Sequence, residues 1–462
     1  MELLSYPIEI IINISKFLSD KDKLSLTSTC FYLYDLRRYL VFNRGITLET
    51  YYLLHDKTNY ADSFRHIFVC KFDGATKIPP KITHLDFIKN VDADIRGAIP
   101  SSVTHLRFGY KFNQDIRGVI PSSVTHLIFD DDFNQDIRGA IPPSVTHLTF
   151  ACKFNQDIRG AIPASVTHLI LNGDFDKDIR GAIPPSVTHL ILGNKFNQDI
   201  QEALPFSVTH LRFGCNFNQD IRGAIPVSVT HLTFGYMFNQ NIQEAIPPSV
   251  THLEFGHKFN RDIRGAIPPS VTHLKFGYNF NQDIRGAIPS SVTHLTLGNK
   301  FNKYVRGAIP PSVTHLTLNG YNKKEIGVTI PSSVTHLILE YFSDTDITNV
   351  IPSSVTHLTL YNCHNLDIHD KIPYSVMHLT FYGDFENIKG NIPVSVKYLS
   401  FEMGFNQNIH GIIPSSVTNL YLHKFYDEDI TNAIPNTVTH LTLPKRYESV
   451  LPPHVGRCVR FL

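Results

Sequence analysis

The chain has 462 residues and a formal charge of +1, with 42 Lys and Arg against 41 Asp and Glu, so neither sign argues for nucleic acid or an acidic membrane as a partner. Charged residues make up 18%, low beside the roughly 25% of ordinary globular chains, and the 42% apolar content, with Phe 32 and Trp 0, suffices for a long core. No stretch approaches the roughly 18 uninterrupted apolar residues of a membrane span, and the six cysteines (Cys30, Cys70, Cys152, Cys215, Cys363, Cys458) form no C-x-x-C pair, which predicts an intracellular protein, cytoplasmic or nuclear, in a reducing compartment.

The opening "MELLSYPIEIIINISKFLSD" is apolar, but Glu2, Glu9 and Lys16 interrupt it, and neither a basic n-region nor an A-x-A-like cleavage site marks a secretory leader. Ile10, Ile14, Phe17 and Leu18 fall at i, i+4, i+7 and i+8, which predicts an amphipathic helix opened by Pro7. "SDKD" breaks and recaps it, Leu24 and Leu26 lead a second helix into Cys30, and "FYLYDLRRYL" makes a third. A domain confined to residues 1–43 buries little by itself, so its apolar stripe argues for a partner.

This segment resembles an F-box, whose pattern is roughly L-P-x-E-[IL]-[IL]-x-x-I-[FL]-x-[FY]-L, an acidic break, then L-x-x-[LV]-x-x-[VT]-C-[KR]. Pro7, Glu9, Ile10, Ile11, Ile14, Leu18, Asp22, Cys30 and Leu36 match it, while Tyr6 replaces the usual Leu and Leu33 stands near a position where Trp is common. The resemblance implies binding of a Skp1-type adaptor in a cullin–RING ubiquitin ligase, through Pro7, Glu9, Ile10, Ile14, Phe17, Leu18, Leu24, Leu26 and Cys30. The other reading of these helices is a generic N-terminal cap on a solenoid.

Residues 44–77 read as a linker and an N-terminal capping coil, with a strand in "SFRHIFV" that carries His66. From 78 to 443 the chain is a repeat. His84 recurs every 21 residues to His378, and the slot then holds Tyr398, Asn419 and His440, giving 18 units. The working pattern is I-P-x-S-V-T-H-L-x-[FL]-G-x-x-F-N-Q-D-I-R-G-A. "VTHLTF" is β-branched and apolar and predicts a strand with Leu148 and Phe150 on one face, His147 and Thr149 on the other. The preceding Pro stops any helix. "FNQDIRGAI" is too short and Gly-punctuated for a helix, so each unit is one strand plus an irregular return. One unit cannot bury its apolar face, whereas stacked units can.

V-x-x-L-x-[FL] resembles the first half of a leucine-rich repeat, and the whole unit looks like the FNIP repeat. The chain as a whole is similar to F-box and FNIP repeat proteins, a group found in amoebae and in the giant DNA viruses that infect them, which puts it in the host cell if it is viral. Units after Asn319 drift, the return half more than the strand half. Residues 444–462 read as a degenerate C-terminal capping coil with Arg457 in the histidine slot.

If Leu and Phe face the core, the histidines face out, on the surface that is concave in a leucine-rich-repeat horseshoe. A single straight row does not converge on a metal, and no Ser or Cys nucleophile recurs beside it. The expected role is a stacked column, each ring lowering its neighbours' pKa by like-charge repulsion and one ring nitrogen bonding an acceptor on the next coil. Asp115 with Arg117, and Asp136 with Arg138, predict opposed charge rows on the return side. Asn113, Asn134 and Asn155 predict an internal amide ladder.

Two residues after the slot the repeat varies. That column includes Arg107, Ile128, Ile170, Ile191, Arg212, Glu254, Lys275, Ile338 and Tyr421, the candidate target-binding residues. Repeat proteins read partners by varying residues on a constant frame; drift at unconstrained exposed sites is the alternative. The expected architecture is a small all-α N-terminal F-box-like bundle followed by a long leucine-rich-repeat-like solenoid with one parallel β-sheet built from 21-residue coils. The expected function is the substrate-recognition subunit of a cullin–RING ligase, monomeric outside the complex, non-catalytic, with no cofactor and no metal site. The partners would be a Skp1-like adaptor, the cullin complex and an unknown target protein. A scaffold unconnected with ubiquitin is the second reading. A solenoid enzyme acting on polysaccharide is the third, and no cluster of unique carboxylates or bases supports it.

Overall fold

The structure, a computed structural model, describes residues 45–57, 64–70, 72–88, 91, 93–302, 307–320, 330–342, 347–364, 366–385, 388–445, 447, 451 and 459–461. The helices expected within 1–43, and every residue named there for adaptor binding, lie outside the described residues. The chain divides into two compact units, Met1–Gln219 and Asp220–Leu462.

The first unit contains β1 (Ile46–Thr47), the helix α1 (Leu48–Lys57), β2 (His66–Val69), β3 (His84–Phe87), β4 (His105–Phe108), β5 (His126–Phe129), β6 (His147–Phe150), β7 (His168–Leu171), β8 (His189–Leu192) and β9 (His210–Arg212). The second contains β10 (His231–Thr233), β11 (His252–Glu254), β12 (His273–Lys275), β13 (His294–Thr296), β14 (His315–Asn319), β15 (His336–Glu340), β16 (His357–Tyr361), β17 (His378–Tyr382), β18 (Tyr398–Phe401), β19 (Asn419–Leu422), β20 (His440–Leu443) and β21 (Val459–Phe461). Within each unit successive strands pair in parallel and in register, as His105↔His126 and His252↔His273.

The linker reading of 44–77 missed α1. Its first turn is capped by Thr47, whose Oγ1 accepts the Thr50 N–H at 3.2 Å, and Leu48 and Tyr51 are buried. β1 pairs with β2 (Ile46↔Ile67), so the ladder begins before the His66 strand. At the other end β21 pairs Leu441 with Val459, and Arg457, expected in the histidine slot, lies outside the described residues.

The coil closes through three kinds of repeated bond. At the proline corner, the Val145 N–H donates to the Pro142 carbonyl at 3.1 Å, closing a β-turn. The Ser144 hydroxyl donates to the Val124 carbonyl one coil back at 2.7 Å. The Thr146 and His147 N–H groups both donate to the Thr125 carbonyl, at 2.9 and 3.0 Å. Inside, strand and return phenylalanines form two stacked columns. Phe129 lies 4.0 Å from Phe133 within a coil, and Phe133 lies 6.2 Å from Phe154 of the next. All three are at most 1% exposed.

On the return, Asn134 Oδ1 accepts the Asn155 N–H at 2.9 Å and the Gln156 amide at 3.0 Å. The amide ladder therefore exists, but Asn113 is exposed and Asn134 half-exposed. It lies at the surface and not inside, because only the Phe and Ile between these amides turn inward. Each Arg pairs with the Asp of its own coil: Arg117 Nη2 lies 2.5 Å from Asp115 Oδ2, and the Arg117 N–H donates to Asp115 Oδ1 at 3.1 Å. Those bonds hold Asp115 down to about 2.

The turn after the Arg needs a left-handed residue, with Gly181 at φ 65° and Gly223 at φ 71°. Glu202 and Glu244 take the same position at φ 55° and 57°. A Cβ added at Gly181 meets nothing within 4 Å, so the difference between the residues is backbone strain alone. A left-handed non-glycine residue costs about 1–2 kcal/mol, against about 0.5–1 kcal/mol of extra chain entropy for glycine. Glu202→Gly is therefore expected to stabilise its coils by about 0.5–1 kcal/mol, and Gly181→Glu to destabilise them similarly, read as opposite shifts of the urea midpoint. Phe259→Ala, at a buried ring 3.9 Å from Phe255, is expected to cost about 3–5 kcal/mol in the same measurement.

Candidate functional site

The alternation of each strand aims its Leu and second apolar residue at the core and leaves the histidine and the residue two positions on at the surface. In β6 this reads His147 half-exposed, Leu148 buried, Thr149 half-exposed, Phe150 buried. Parallel register then lines like positions into rows across the exposed face.

In the first unit the rings from His84 to His210 stack with centroids 4.1–4.2 Å apart and planes within 12–14°. In the second, His231 to His378 stack at 4.0–4.1 Å and 12–15°. Tyr398 continues the second stack 4.1 Å from His378. His66 sits tilted by 45° at 5.4 Å from His84 and bonds Asp86 Oδ2 instead, at 3.1 Å.

The acceptor expected on the neighbouring coil is not what fixes the rings. Thr146 Oγ1 and His147 Nδ1 share a hydrogen bond of 2.9 Å within one coil, and this repeats in both units. The threonine oxygen also lies 3.2 Å from the Thr125 carbonyl of the preceding coil. A neutral ring with its proton on Nε2 takes the hydroxyl proton at Nδ1. A doubly protonated ring makes the hydroxyl accept and turn its own proton to that longer contact. Where asparagine fills the slot, the Thr418 hydroxyl donates to Asn419 Oδ1 at 2.9 Å, preserving the bond.

Burial is the first cause that lowers the imidazole pKa values, and like-charge neighbours the second, so the repulsion expected from stacking is the smaller effect. His105 is pushed down to about 4 by burial and then by His84 and His126. His294 is pushed down to about 4 by burial and then by His273 and His315. His84, His147, His336 and His357 move the same way.

The varied row is equally continuous. In the first unit Arg107 neighbours Ile128, and Ile170 neighbours Ile191. Arg107 and Arg212 are exposed, the isoleucines half-buried. Arg107 Nε donates to Asp130 Oδ2 at 2.9 Å. In the second unit Glu254 and Lys275 are adjacent and pair at 2.6 Å, spending their charges on each other. With the histidines around them and Thr233 and Thr296, they line a groove of about 370 Å³. Ile338 stands between Thr317 and Thr359. Tyr421 stands between Ser400 and Thr442, in a second groove of about 360 Å³.

A third outward row escaped the sequence reading. In β14–β17 the strands lengthen to five residues, and the position that holds Gly in β8–β13 carries the buried Asn319 and then the half-buried Glu340, Tyr361 and Tyr382. Tyr361 and Tyr382 rings lie 5.2 Å apart, and Glu402 holds the equivalent place after β18. Beyond β10–β12, Tyr236, His257 and Tyr278 stack at 4.3 and 4.7 Å. The signal was present as the loss of that Gly. Among the described residues no group of three or more His, Cys, Asp or Glu converges as a metal site, and no helix is long and apolar enough to cross a membrane. Cys70, Cys152, Cys215 and Cys363 are free.

Comparison with known proteins agrees with this repeat geometry. The family model of the FNIP Repeat matches residues 74–111, 112–153, 154–195, 196–237, 238–279, 259–300, 280–321, 301–342, 321–363 and 405–446. No curated protein matches the chain. Among solved structures the chain is similar to CroV588, described as a novel circular leucine-rich-repeat protein, at 31% identity and TM-score 0.56 over 87% of this chain and 69% of that one. YopM from Yersinia enterocolitica WA-314 matches at 14% identity and TM-score 0.42, over 83% of this chain and 88% of that one, too low to carry an argument.

The lowered imidazole pKa values set a pH dependence. Unfolded rings take up protons near 6.5 and the folded ones lower, so the stabilisation is full above pH 6.5 and is lost as pH falls from 6.5 toward about 4. Thermal melting between about pH 8 and 4 is expected to drop steeply across that window, with or without EDTA. Replacing His105 and His126 by tyrosine, the residue that already stacks at position 398, is expected to make the drop shallower. A flat profile would show that neither burial nor the neighbouring rings lower these pKa values in the folded chain.

Proposed function

The chain belongs to the FNIP repeat family, and from that premise we propose that it is a non-catalytic recognition subunit whose repeats hold a target protein. Residues 1–43 then dock a Skp1-type adaptor and through it a cullin–RING ubiquitin ligase. The observation that carries the target-binding half is the exposed strand face, where constant His and Thr rows frame a row that changes from coil to coil. Such a face suits protein–protein contact: rigid, wide and individually patterned. The ligase half is supported by the F-box-like run from Pro7 to Cys30. Catalysis belongs to partner subunits in this reading. A reducing intracellular compartment is supported by the four free cysteines.

The second reading, an interaction scaffold unconnected with ubiquitin, differs at one step only. Purified Skp1-type adaptor is expected to bind the full chain, and Pro7→Ala combined with Ile10→Ala to weaken that binding at least a hundredfold while far-ultraviolet circular dichroism stays unchanged. An adaptor that ignores the wild-type chain removes the ligase assignment and leaves the scaffold. Equal binding by the double variant removes the F-box stripe as the interface.

A further inference from the structure

The second groove differs from the rest of the exposed face in ways that point to one kind of ligand. It lies across β17–β20, where the repeat departs from its frame. The step from His378 to Tyr398 is 20 residues and not 21. Met377 and Lys397 stand where threonine usually holds the ring. The lining then changes from imidazole and threonine to Tyr398, Ser400, Glu402, Asn419 and Tyr421.

Glu402 is half-buried and carries the one acidic side chain of that lining. Its Oε1 accepts a hydrogen bond from the Ser400 hydroxyl at 2.9 Å, and among the described residues no cation pairs with it. Elsewhere on this face Glu254 is neutralised by Lys275 at 2.6 Å and Asp130 by Arg107 at 2.9 Å, and Glu340 takes a hydrogen bond from the Asn319 side-chain amide at 3.2 Å. Tyr382 and Tyr421 flank Glu402, and their phenols are held above the ordinary range by burial first and by this carboxylate next. Tyr421 makes no ring contact among the described residues, is half-buried, and has the small side chains of Ser400 and Thr442 as its in-register neighbours. Tyr398 packs one face on His378 and is 46% exposed.

We propose that this groove binds an arginine side chain of an extended segment of the partner protein, with the guanidinium on Glu402 and its plane against Tyr421. This rests on the protein-binding reading above and names the chemistry of one contact in it. A carboxylate beside aromatic rings selects a cation, and the planar fork of arginine matches both the two carboxylate oxygens and a ring face, which an ammonium does not. A single carboxylate excludes an anionic ligand and is too few donors for a metal ion. A groove of about 360 Å³, open along the strands, admits one long side chain on a continuing backbone.

The test uses the full chain and labelled peptides Gly-Ser-Gly-X-Gly-Ser-Gly, with X as arginine, lysine, glutamine or glutamate, read by fluorescence anisotropy at low ionic strength. The arginine peptide is expected to bind at least tenfold tighter than the glutamine peptide, with lysine between them and glutamate weakest. Glu402→Gln is expected to bring the arginine peptide to the glutamine level. Tyr421→Ser is expected to weaken it about threefold, and Glu254→Gln, in the other groove, to change nothing. Glu402→Lys is expected to reverse the preference toward the glutamate peptide, a gain that misfolding cannot imitate. Equal binding of the arginine and glutamine peptides, or an unchanged preference in both Glu402 variants, overturns the proposal. That failure is distinct from failure of the broader reading, because adaptor binding is measured separately on the same chain.

Discussion

In-register parallel stacking is the constraint on which the rest of this structure depends. A period of 21 residues sets every side chain directly beside the same position of the next coil, so each residue type must tolerate its own kind as a neighbour. Apolar residues do so at no cost, and the two phenylalanine columns show the outcome: rings 4.0 Å apart within a coil and about 6 Å apart between coils. Polar residues do so only if one copy donates what the next accepts. The asparagine side chain, which accepts the next coil's backbone N–H, and the serine hydroxyl, which donates to the preceding coil's carbonyl, both meet that condition.

Charged residues are the hard case, and the chain meets it in two ways. Arginine rows run beside aspartate rows, and each pair closes within its own coil, so that no such arginine depends on a neighbouring coil for its counter-charge. His105 and His294 sit where burial and their ring neighbours lower the imidazole pKa to about 4, which turns a titratable side chain into a flat polar ring suited to stacking. The threonine before most rings bonds their Nδ1, while His378, which follows Met377, keeps the same stacking at 4.0 Å and 12°. Where that threonine becomes Met377 or Lys397, tyrosine soon replaces histidine and the face changes character.

Constancy and variation therefore divide the labour on one surface. Constant rows make the strand face rigid, so a residue changed in one coil alters the surface locally without disturbing the coil above it. The paired Glu254 and Lys275 and the unpaired Glu402 illustrate the range: two charges that satisfy each other leave a quiet patch, and a carboxylate among tyrosines leaves an unmet demand.

The repeat, the strand in each unit, the inward Leu and Phe and the outward His were all legible from the amino-acid order, because a two-residue alternation inside a fixed period leaves only one face to bury. The helix at Leu48–Lys57 was not, since a short segment with Tyr51 and Leu48 as its buried contacts has no strong periodicity of its own. Nor was the exact pairing at the C-terminal end, where only the tertiary ladder sets Val459 beside Leu441. Which charges are spent and which remain open was decided by tertiary structure alone. Glu254 and Glu402 are the same residue type on the same strand face, and only the neighbour brought from another coil, a lysine for the first and tyrosines for the second, separates a paired charge from one that meets no cation among the described residues.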